Sequence, residues 1–368
     1  MRRFLCSVLL LCLTTACGRA AASLPIGSSA PEFSLPGTDG RTHTLAEFAA
    51  SPVLAVVFTC NRCPAAQRAE AALTQLSEAY RARGLALVAI NPNHAAAVRL
   101  ADLSFSDVGE SLDDMKTRAA FAHFDFPYLS DGDTQALTKQ YRVTTTPQVF
   151  VFDRARTLRY RGRIDDGKAE AAIDTLIAGG AVATADTTVD GCPVITREDG
   201  TKADAERKAL AAEPVAVEAA DAAMLKALRQ NGEGGLLLVN FWATWCGPCV
   251  TEFPDLEATY RMYASRGLRF TTVSTNDPEE RPAVIEFLQK QHASHRNLQF
   301  GTPDVYGLQA AFDPAMPASV PFTLLLGANG DVRYQELGAS DIPRLRRAIL
   351  ANLPDDPAGG PRAYWTRP

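Results

Sequence analysis

The sequence is poor in histidine, has no surplus of basic residues and contains no long apolar run. The 5 histidines among 368 residues are scattered, which argues against a metal site built from imidazoles. The 37 lysines and arginines are outnumbered by 42 aspartates and glutamates, so the net charge is -5 and nucleic-acid binding is excluded as a function class. A hydrophobic content of 46% and a charged content of 21% are typical of a globular protein, and the length predicts two domains.

The apolar run nearest the start of the chain is too short to cross a bilayer. It occupies residues 4–13, follows a basic start and precedes the small residues 20–22, which together predict a secretory signal over residues 1–22. We therefore expect a protein that is exported to an oxidising compartment such as the bacterial periplasm. A second interpretation stays open, because residues 14–18 are similar to the cleavage box of bacterial lipoproteins, in which Cys17 would carry a lipid anchor.

Two pairs of cysteines carry the chemistry that the sequence offers. Cys60 and Cys63 form one pair and Cys246 and Cys249 the other, and each pair follows an apolar run typical of a buried strand and precedes a helix-forming stretch. The free N–H groups and the dipole of a helix start favour a thiolate over a thiol. A spacing of two residues lets each pair close a reversible disulfide. We therefore predict two thiol–disulfide centres.

Two long segments of the chain share one order of elements. In residues 24–192 and again in residues 214–353, the CxxC strand and helix are followed by a second apolar strand and by a final pair of strands. This alternation predicts α/β units. Residues 193–213 are predicted to be a linker or a partly helical connector, and residues 354–368, rich in proline and glycine, a disordered tail.

Both segments resemble known families. Residues 240–249 are close to the active-site sequence of thioredoxin, and the second segment, with an insertion over residues 277–315, looks most like the exported thioredoxin-like reductases of cytochrome c maturation. The first segment resembles the redoxin family related to alkyl hydroperoxide reductase and thioredoxin. The residues that carry this second resemblance are 58–64, 126–131, 145–147 and 161–166. The resemblances imply two fused thioredoxin-like domains, each with a central mixed β-sheet flanked by helices.

In the second segment the resemblance implies a role for several residues. Cys246 would be the attacking thiolate and Cys249 the thiol that resolves the mixed disulfide. Glu252 lies on the same helix face as Cys249, and in similar reductases a glutamate there moves protons for the resolving cysteine; the alternative is an acidic residue that the helix dipole favours. Trp245 would contact the substrate. Asn240 stands where ordinary thioredoxins carry a buried aspartate.

The first segment is expected to work in the same way. Cys60 would be the nucleophile and Cys63 its partner, with the positive charge of Arg62 favouring the thiolate, and a structural disulfide is the alternative. Cys192 is left as an odd thiol, which would resolve a disulfide of this segment, link two chains or stay free. We also hypothesise that electrons pass between the two CxxC centres, with Cys192 as a candidate relay.

Two prolines stand directly before apolar strands. They follow Thr146 and Val320, and the resemblance implies that Pro147 and Pro321 are cis, pack against the active disulfides and present backbone to the substrate. A plain strand-starting proline is the alternative.

The function predicted from these features is an exported thiol–disulfide oxidoreductase. Its partners would be protein thiols and disulfides and a membrane-embedded thiol donor, with no metal or organic cofactor. The alternatives are a peroxidase fed by its own second domain and a non-catalytic copper or apoprotein carrier. A peroxidase is disfavoured because Val57 and Cys60 stand where a threonine or serine would precede Cys60 and Cys63. Covalent haem is excluded because Pro64 and Val250 follow the pairs.

Overall fold

The computed structural model describes residues 23–354. The predicted signal, with Cys17, and all but the first residue of the predicted tail lie outside the described residues. Within the described range, no helix combines the length and the apolar content that a membrane span requires.

Residues 23–193 form a five-stranded mixed sheet with two small two-stranded ladders beside it. The strands are β1 Ser34–Pro36, β2 Thr42–Thr44, β3 Val53–Phe58, β4 Leu85–Asn91, β5 Tyr128–Ser130, β6 Thr145–Thr146, β7 Gln148–Phe152, β8 Leu158–Gly162 and β9 Cys192–Pro193. The helices are α1 Pro64–Tyr80, α2 Leu112–Phe121, α3 Ala136–Tyr141 and α4 Lys168–Ile177. The main sheet has the order β5-β4-β3-β7-β8. Its strands β3, β4 and β5 are parallel, and β7 runs antiparallel to both of its neighbours, β3 and β8.

The second half of the chain repeats this plan with six strands. The helices are α5 Gly200–Ala211, α6 Ala222–Gln230, α7 Gly247–Tyr263, α8 Arg281–Lys290, α9 Val305–Phe312 and α10 Ile342–Asn352. The strands are β10 Glu218–Ala220, β11 Leu236–Trp242, β12 Leu268–Ser274, β13 Arg296–Phe300, β14 Phe322–Leu326 and β15 Val332–Leu337. The sheet order is β10-β13-β12-β11-β14-β15, in which β14 runs antiparallel to both of its neighbours and the other strands share one direction. The predicted α/β class with mixed sheets is confirmed.

The central strand of each sheet is apolar, apart from Asn240 in β11, because both of its faces are covered. Every residue of β3 and of β11 is buried. Successive β3 side chains enter two clusters on opposite faces of the sheet, Leu54, Val56 and Phe58 in one and Val53, Ala55 and Val57 in the other. Each such side chain contributes about 1.5–3 kcal/mol on burial. The first strand ends two residues before Cys60, and the second ends four residues before Cys246.

The two sheet units touch through the stretch 103–107 of the first unit. Leu103 packs into the cluster formed by α7 and α10, the Tyr263 hydroxyl donates to the Ser106 carbonyl at 2.7 Å, and Arg266 donates to the Ser104 carbonyl at 2.8 Å. Arg347 of α10 lies 3.6 Å from the buried Asp107 carboxylate. The C-terminal end of α7 is therefore at the contact between the units.

The predicted linker is ordered over most of its length. Val194 and Ile195 are buried, and the Ile195 N–H donates to the Asn93 side chain at 2.8 Å. Residues 200–211 form α5, which packs against the 3-10 turn Ala95–Ala97. The stretch thus has the form of the partly helical connector, and it lies against the first unit.

Candidate thiol–disulfide centres

The second centre is a disulfide between Cys246 and Cys249 at the start of α7. Cys246 is the N-cap residue, and the Cys249 N–H lies 3.3 Å from its sulfur. This places the Cys246 sulfur at the positive end of the helix dipole, where a thiolate is favoured once the disulfide is reduced. Cys246 is slightly more exposed than Cys249, which is almost completely buried. The geometry therefore suits attack at Cys246 and resolution by Cys249, the roles that remain a prediction.

The rim of this centre contains a backbone carbonyl and a large aromatic side chain. The Val320–Pro321 peptide is cis, and the Val320 carbonyl oxygen lies 3.6 Å from the Cys246 sulfur. The Trp245 side chain is 64% exposed directly beside the disulfide. An exposed indole and a backbone edge suit an extended peptide better than a small polar molecule.

Glu252 is a buried carboxyl one helical turn beyond Cys249. It accepts hydrogen bonds from the Asn240 side chain at 3.2 Å and from the Ser340 N–H at 2.6 Å. Burial raises the pKa of Glu252 above its ordinary value, which these hydrogen bonds only partly offset. Asn240 also donates to Thr323 at 3.0 Å, so the amide holds the carboxyl in place. A carboxyl of raised pKa beside a resolving thiol can accept a proton near neutral pH.

The first centre differs from the sequence-based expectation. The disulfide joins Cys63 to Cys192, with their Cα atoms 5.8 Å apart, and Cys60 is a buried free thiol. The predicted pairing of Cys60 with Cys63 is therefore not the one that the structure contains. The reason is the ladder between β6 and β9. In this ladder Cys192 lies directly opposite Thr146, which brings it to Cys63, the residue before α1.

The helix begins three residues later here than in the second centre. Cys63, not Cys60, is the N-cap of α1, and Pro64 is its first residue. The N–H groups of Asn61 and Arg62 point elsewhere, to the two oxygens of Glu110, at 3.3 and 2.8 Å. The dipole of α1 consequently favours a thiolate at Cys63 and not at Cys60.

The expectation that Cys60 is an activated thiolate is wrong for this structure. Burial and, to a smaller extent, the charge of Glu110 raise the pKa of the Cys60 thiol to about 12, and the charge of Arg62 offsets them only in part. Thr146 holds this thiol, with its hydroxyl oxygen 3.2 Å from the sulfur, and the Thr146–Pro147 peptide is cis.

Glu110 is the site residue that sequence reasoning missed. Besides the two N–H groups of the CxxC loop, it accepts from the Asn91 side chain at 2.6 Å, and burial raises its pKa. It lies in an irregular stretch just before α2, where neither periodicity nor motif distinguishes it from a surface acid. Only the fold brings it under the Cys60 loop.

The described residues include no group of three or more histidine, cysteine, aspartate or glutamate side chains arranged to hold a metal ion. The three cysteines of the first centre lie together, but two of them are joined to each other.

Comparison with known proteins places each half of the chain in a family. The AhpC/TSA family model matches residues 26–161, and the redoxin model matches residues 204–349. Among curated proteins, the thiol-disulfide oxidoreductase ResA of Oceanobacillus iheyensis is 29% identical over 113 residues, which is 31% of this chain and 55% of that protein. The sporulation thiol-disulfide oxidoreductase A of Bacillus subtilis is 30% identical over 115 residues, 31% of this chain and 66% of that protein.

The chain spans about half the length of the first of these curated relatives. Among solved structures, a hypothetical protein from Sinorhizobium meliloti is 34% identical, with 48% of this chain and 96% of that chain covered and a TM-score of 0.44. Taken with the two sheets and their cysteines, the family models support one conclusion. The chain is a fusion of two thioredoxin-like domains, of which the first matches the AhpC/TSA family model and the second the redoxin model.

Proposed function

We propose that the chain is an exported thiol–disulfide oxidoreductase whose second domain exchanges electrons with protein disulfides through Cys246 and Cys249. The observation that carries this proposal is the position of the Cys246 sulfur, at the start of α7 and beside the Val320 carbonyl. The curated relatives that bear the name thiol-disulfide oxidoreductase support it.

The reaction begins from the reduced pair. The Cys246 thiolate attacks one sulfur of a substrate disulfide, the other substrate sulfur leaves as a thiolate, and a mixed disulfide forms. Cys249 then loses its proton and attacks the Cys246 sulfur, which releases the second substrate thiol. The product is the Cys246–Cys249 disulfide that the structure contains. Glu252, one turn away, accepts the proton of Cys249.

The substrate class is a protein rather than a small disulfide. Trp245 offers an exposed apolar surface and Val320 a backbone carbonyl beside the Cys246 sulfur, and together they bind an extended chain around its cystine. A membrane-embedded thiol donor would return electrons to the pair in an oxidising compartment. A lipid at Cys17 would hold the protein close to that donor.

The test is reduction of insulin disulfides by the full chain. We expect Cys246→Ser to lower the rate to that of the dithiol donor alone, and Cys249→Ser to accumulate mixed disulfides that mass spectrometry locates on Cys246. Normal turnover by the Cys246→Ser chain would refute the assignment.

A second candidate function, hydroperoxide reduction, is favoured by the match of residues 26–161 to the AhpC/TSA family. In that case a reduced Cys63, at the start of α1, would attack the peroxide and Cys192 would resolve the sulfenic acid. Turnover of hydrogen peroxide that is lost in Cys63→Ser but kept in Cys246→Ser with a chemical reductant would support this candidate. No turnover above the free thiol rate excludes it.

A further inference from the structure

The first domain contains three cysteines in one cluster and only one of them reaches solvent. Cys60, Cys63 and Ala66 form a buried cluster against which Cys192 packs. Cys60 and Cys63 are almost completely buried, whereas Cys192 is half-buried. A disulfide and a free thiol are thus held in one small apolar pocket.

Thr146 touches both buried sulfurs. Its hydroxyl oxygen is 3.2 Å from the Cys60 sulfur, and its carbonyl oxygen is 3.5 Å from the Cys63 sulfur. These contacts hold the free thiol next to the disulfide, and the two-residue spacing between Cys60 and Cys63 is the one that closes a disulfide in the second domain.

We propose that Cys60 attacks the Cys63–Cys192 disulfide and exchanges it for a Cys60–Cys63 disulfide, which makes Cys192 a surface thiol. The Cys60 thiolate forms a bond to the Cys63 sulfur while the Cys63–Cys192 bond breaks. The Cys60 proton goes to solvent, and the departing Cys192 thiolate takes one from solvent. Two electrons stay on the protein throughout, so the step needs no oxidant or reductant.

The exchange changes which sulfur a partner can reach. With Cys63 bonded to Cys192, the free thiol is buried and held protonated by its environment, since its pKa is about 12. After the exchange the free thiol is Cys192, on the short strand β9. Cys192 is therefore the thiol of the first centre that reacts with a thiol or disulfide of a partner protein. Cys60 is the nucleophile that releases Cys192 from its disulfide.

The contacts around Cys192 keep β9 in place when the Cys63–Cys192 bond breaks. Thr146 pairs with Cys192 in the β6–β9 ladder, and Arg62 donates to the Pro193 carbonyl at 2.5 Å. Gly191 lies so close to the Thr146 carbonyl that a Cβ there would come within 2.0 Å of its oxygen. These contacts keep Cys192 near its partners, so the exchange is reversible.

The test is alkylation of the oxidised full chain under native conditions. Excess N-ethylmaleimide is added, the chain is then denatured, and peptide mass spectrometry locates the label and the remaining disulfides. We expect the label on Cys192 together with a Cys60–Cys63 disulfide. The labelling rate should rise about tenfold per pH unit between about pH 7 and 9, because the thiolate fraction of Cys60 does so well below its pKa.

Two variants make the result decisive. Cys60→Ser should reduce labelling of Cys192 at least tenfold, because the nucleophile is gone. Cys192→Ser leaves Cys60 and Cys63 as the one pair of cysteines within residues 23–193, and mild oxidation should join them. The proposal is overturned by label on Cys60 with the Cys63–Cys192 bond intact, by no label before denaturation, or by two free thiols in oxidised Cys192→Ser. These readouts concern the first domain alone, so they are independent of the chemistry proposed at Cys246.

Discussion

Replacement of Glu252 by glutamine tests whether this carboxyl accepts the proton of Cys249 or has only a structural role. The side chain keeps its size, but one of its two acceptor oxygens becomes an NH2 group. Glu252 accepts from Asn240 and from the Ser340 N–H, so one of these donors loses its partner in Glu252→Gln. The cost of an unsatisfied buried donor is about 1–3 kcal/mol of the free energy of unfolding.

The catalytic effect is expected to be larger than the effect on stability. Loss of a positioned general base typically slows a step by about 10²–10⁴-fold. In the unmodified chain, the rate at which Cys249 resolves a mixed disulfide should rise with pH as Glu252 ionises, through a pKa that burial raises above the ordinary carboxyl value. Glu252→Gln should lose this rise along with the rate.

The same shift in pKa predicts the pH dependence of stability. The folded state keeps a proton on Glu252 over a pH range in which the unfolded chain has released it, since the folded pKa is the higher one. The free energy of unfolding contributed by this group therefore falls as pH rises through that range. Glu252→Gln removes this dependence, which urea unfolding at several pH values would measure.

The kinetic assay uses the reduced full chain and an excess of a chromogenic aromatic disulfide in a stopped-flow instrument. The first release of aromatic thiol reports attack by Cys246 and the second reports resolution by Cys249, with the Cys249→Ser chain as the background. Glu257→Gln is the matched control, because Glu257 is an equally buried carboxyl on α7 that pairs with Arg261 at 2.7 Å. It should lower stability and leave the second phase unchanged. An unchanged second phase in Glu252→Gln across neutral pH would refute the proton-acceptor role.

Two further predictions concern the first domain and the domain contact. Glu110→Gln should lower the pKa of Cys60, because the Glu110 charge raises it, and the alkylation profile of Cys60 in the reduced chain should shift to lower pH; an unmoved profile contradicts this. Tyr263→Phe should cost about 1–2 kcal/mol in urea unfolding, because the buried Ser106 carbonyl loses its 2.7 Å hydrogen bond. A loss too small to measure would mean that the contact opens in solution.

The second centre could be predicted from the sequence because its parts are local. The strand β11, the turn and the first residues of α7 are adjacent in the chain, so Cys246, Cys249 and the rim residue Trp245 follow from one stretch. The side chain of Glu252 lies one helical turn away, which spacing alone identifies. Its raised pKa could not be read from spacing, because the cause is burial, which only the folded chain produces.

The first centre could not be predicted in the same way. Its disulfide joins cysteines that are 129 positions apart in the chain. The pairing depends on β9, a strand of two residues that is too short to give a hydrophobic pattern in the sequence. The register of the helix start depends on Glu110, which takes the N–H groups of the CxxC loop from 48 positions further along the chain. Similar CxxC motifs therefore give an N-cap at the first cysteine in one domain and at the second cysteine in the other.

The position of α7 determines how electrons could pass between the two centres. The helix has 17 residues and is about 25 Å long, with Cys246 at one end and Tyr263, against the first domain, at the other. Exchange of disulfides requires contact between sulfurs, so transfer from Cys246 to the first centre needs the two sets of cysteines to meet, within one molecule or between two. If the domain contact opens within one molecule, electron transfer is first order and its observed rate constant does not change on dilution. If electrons pass between two molecules, transfer is second order and its observed rate constant falls in proportion to dilution. The hypothesised relay is thereby a question of kinetic order, which a dilution series of a half-reduced sample answers.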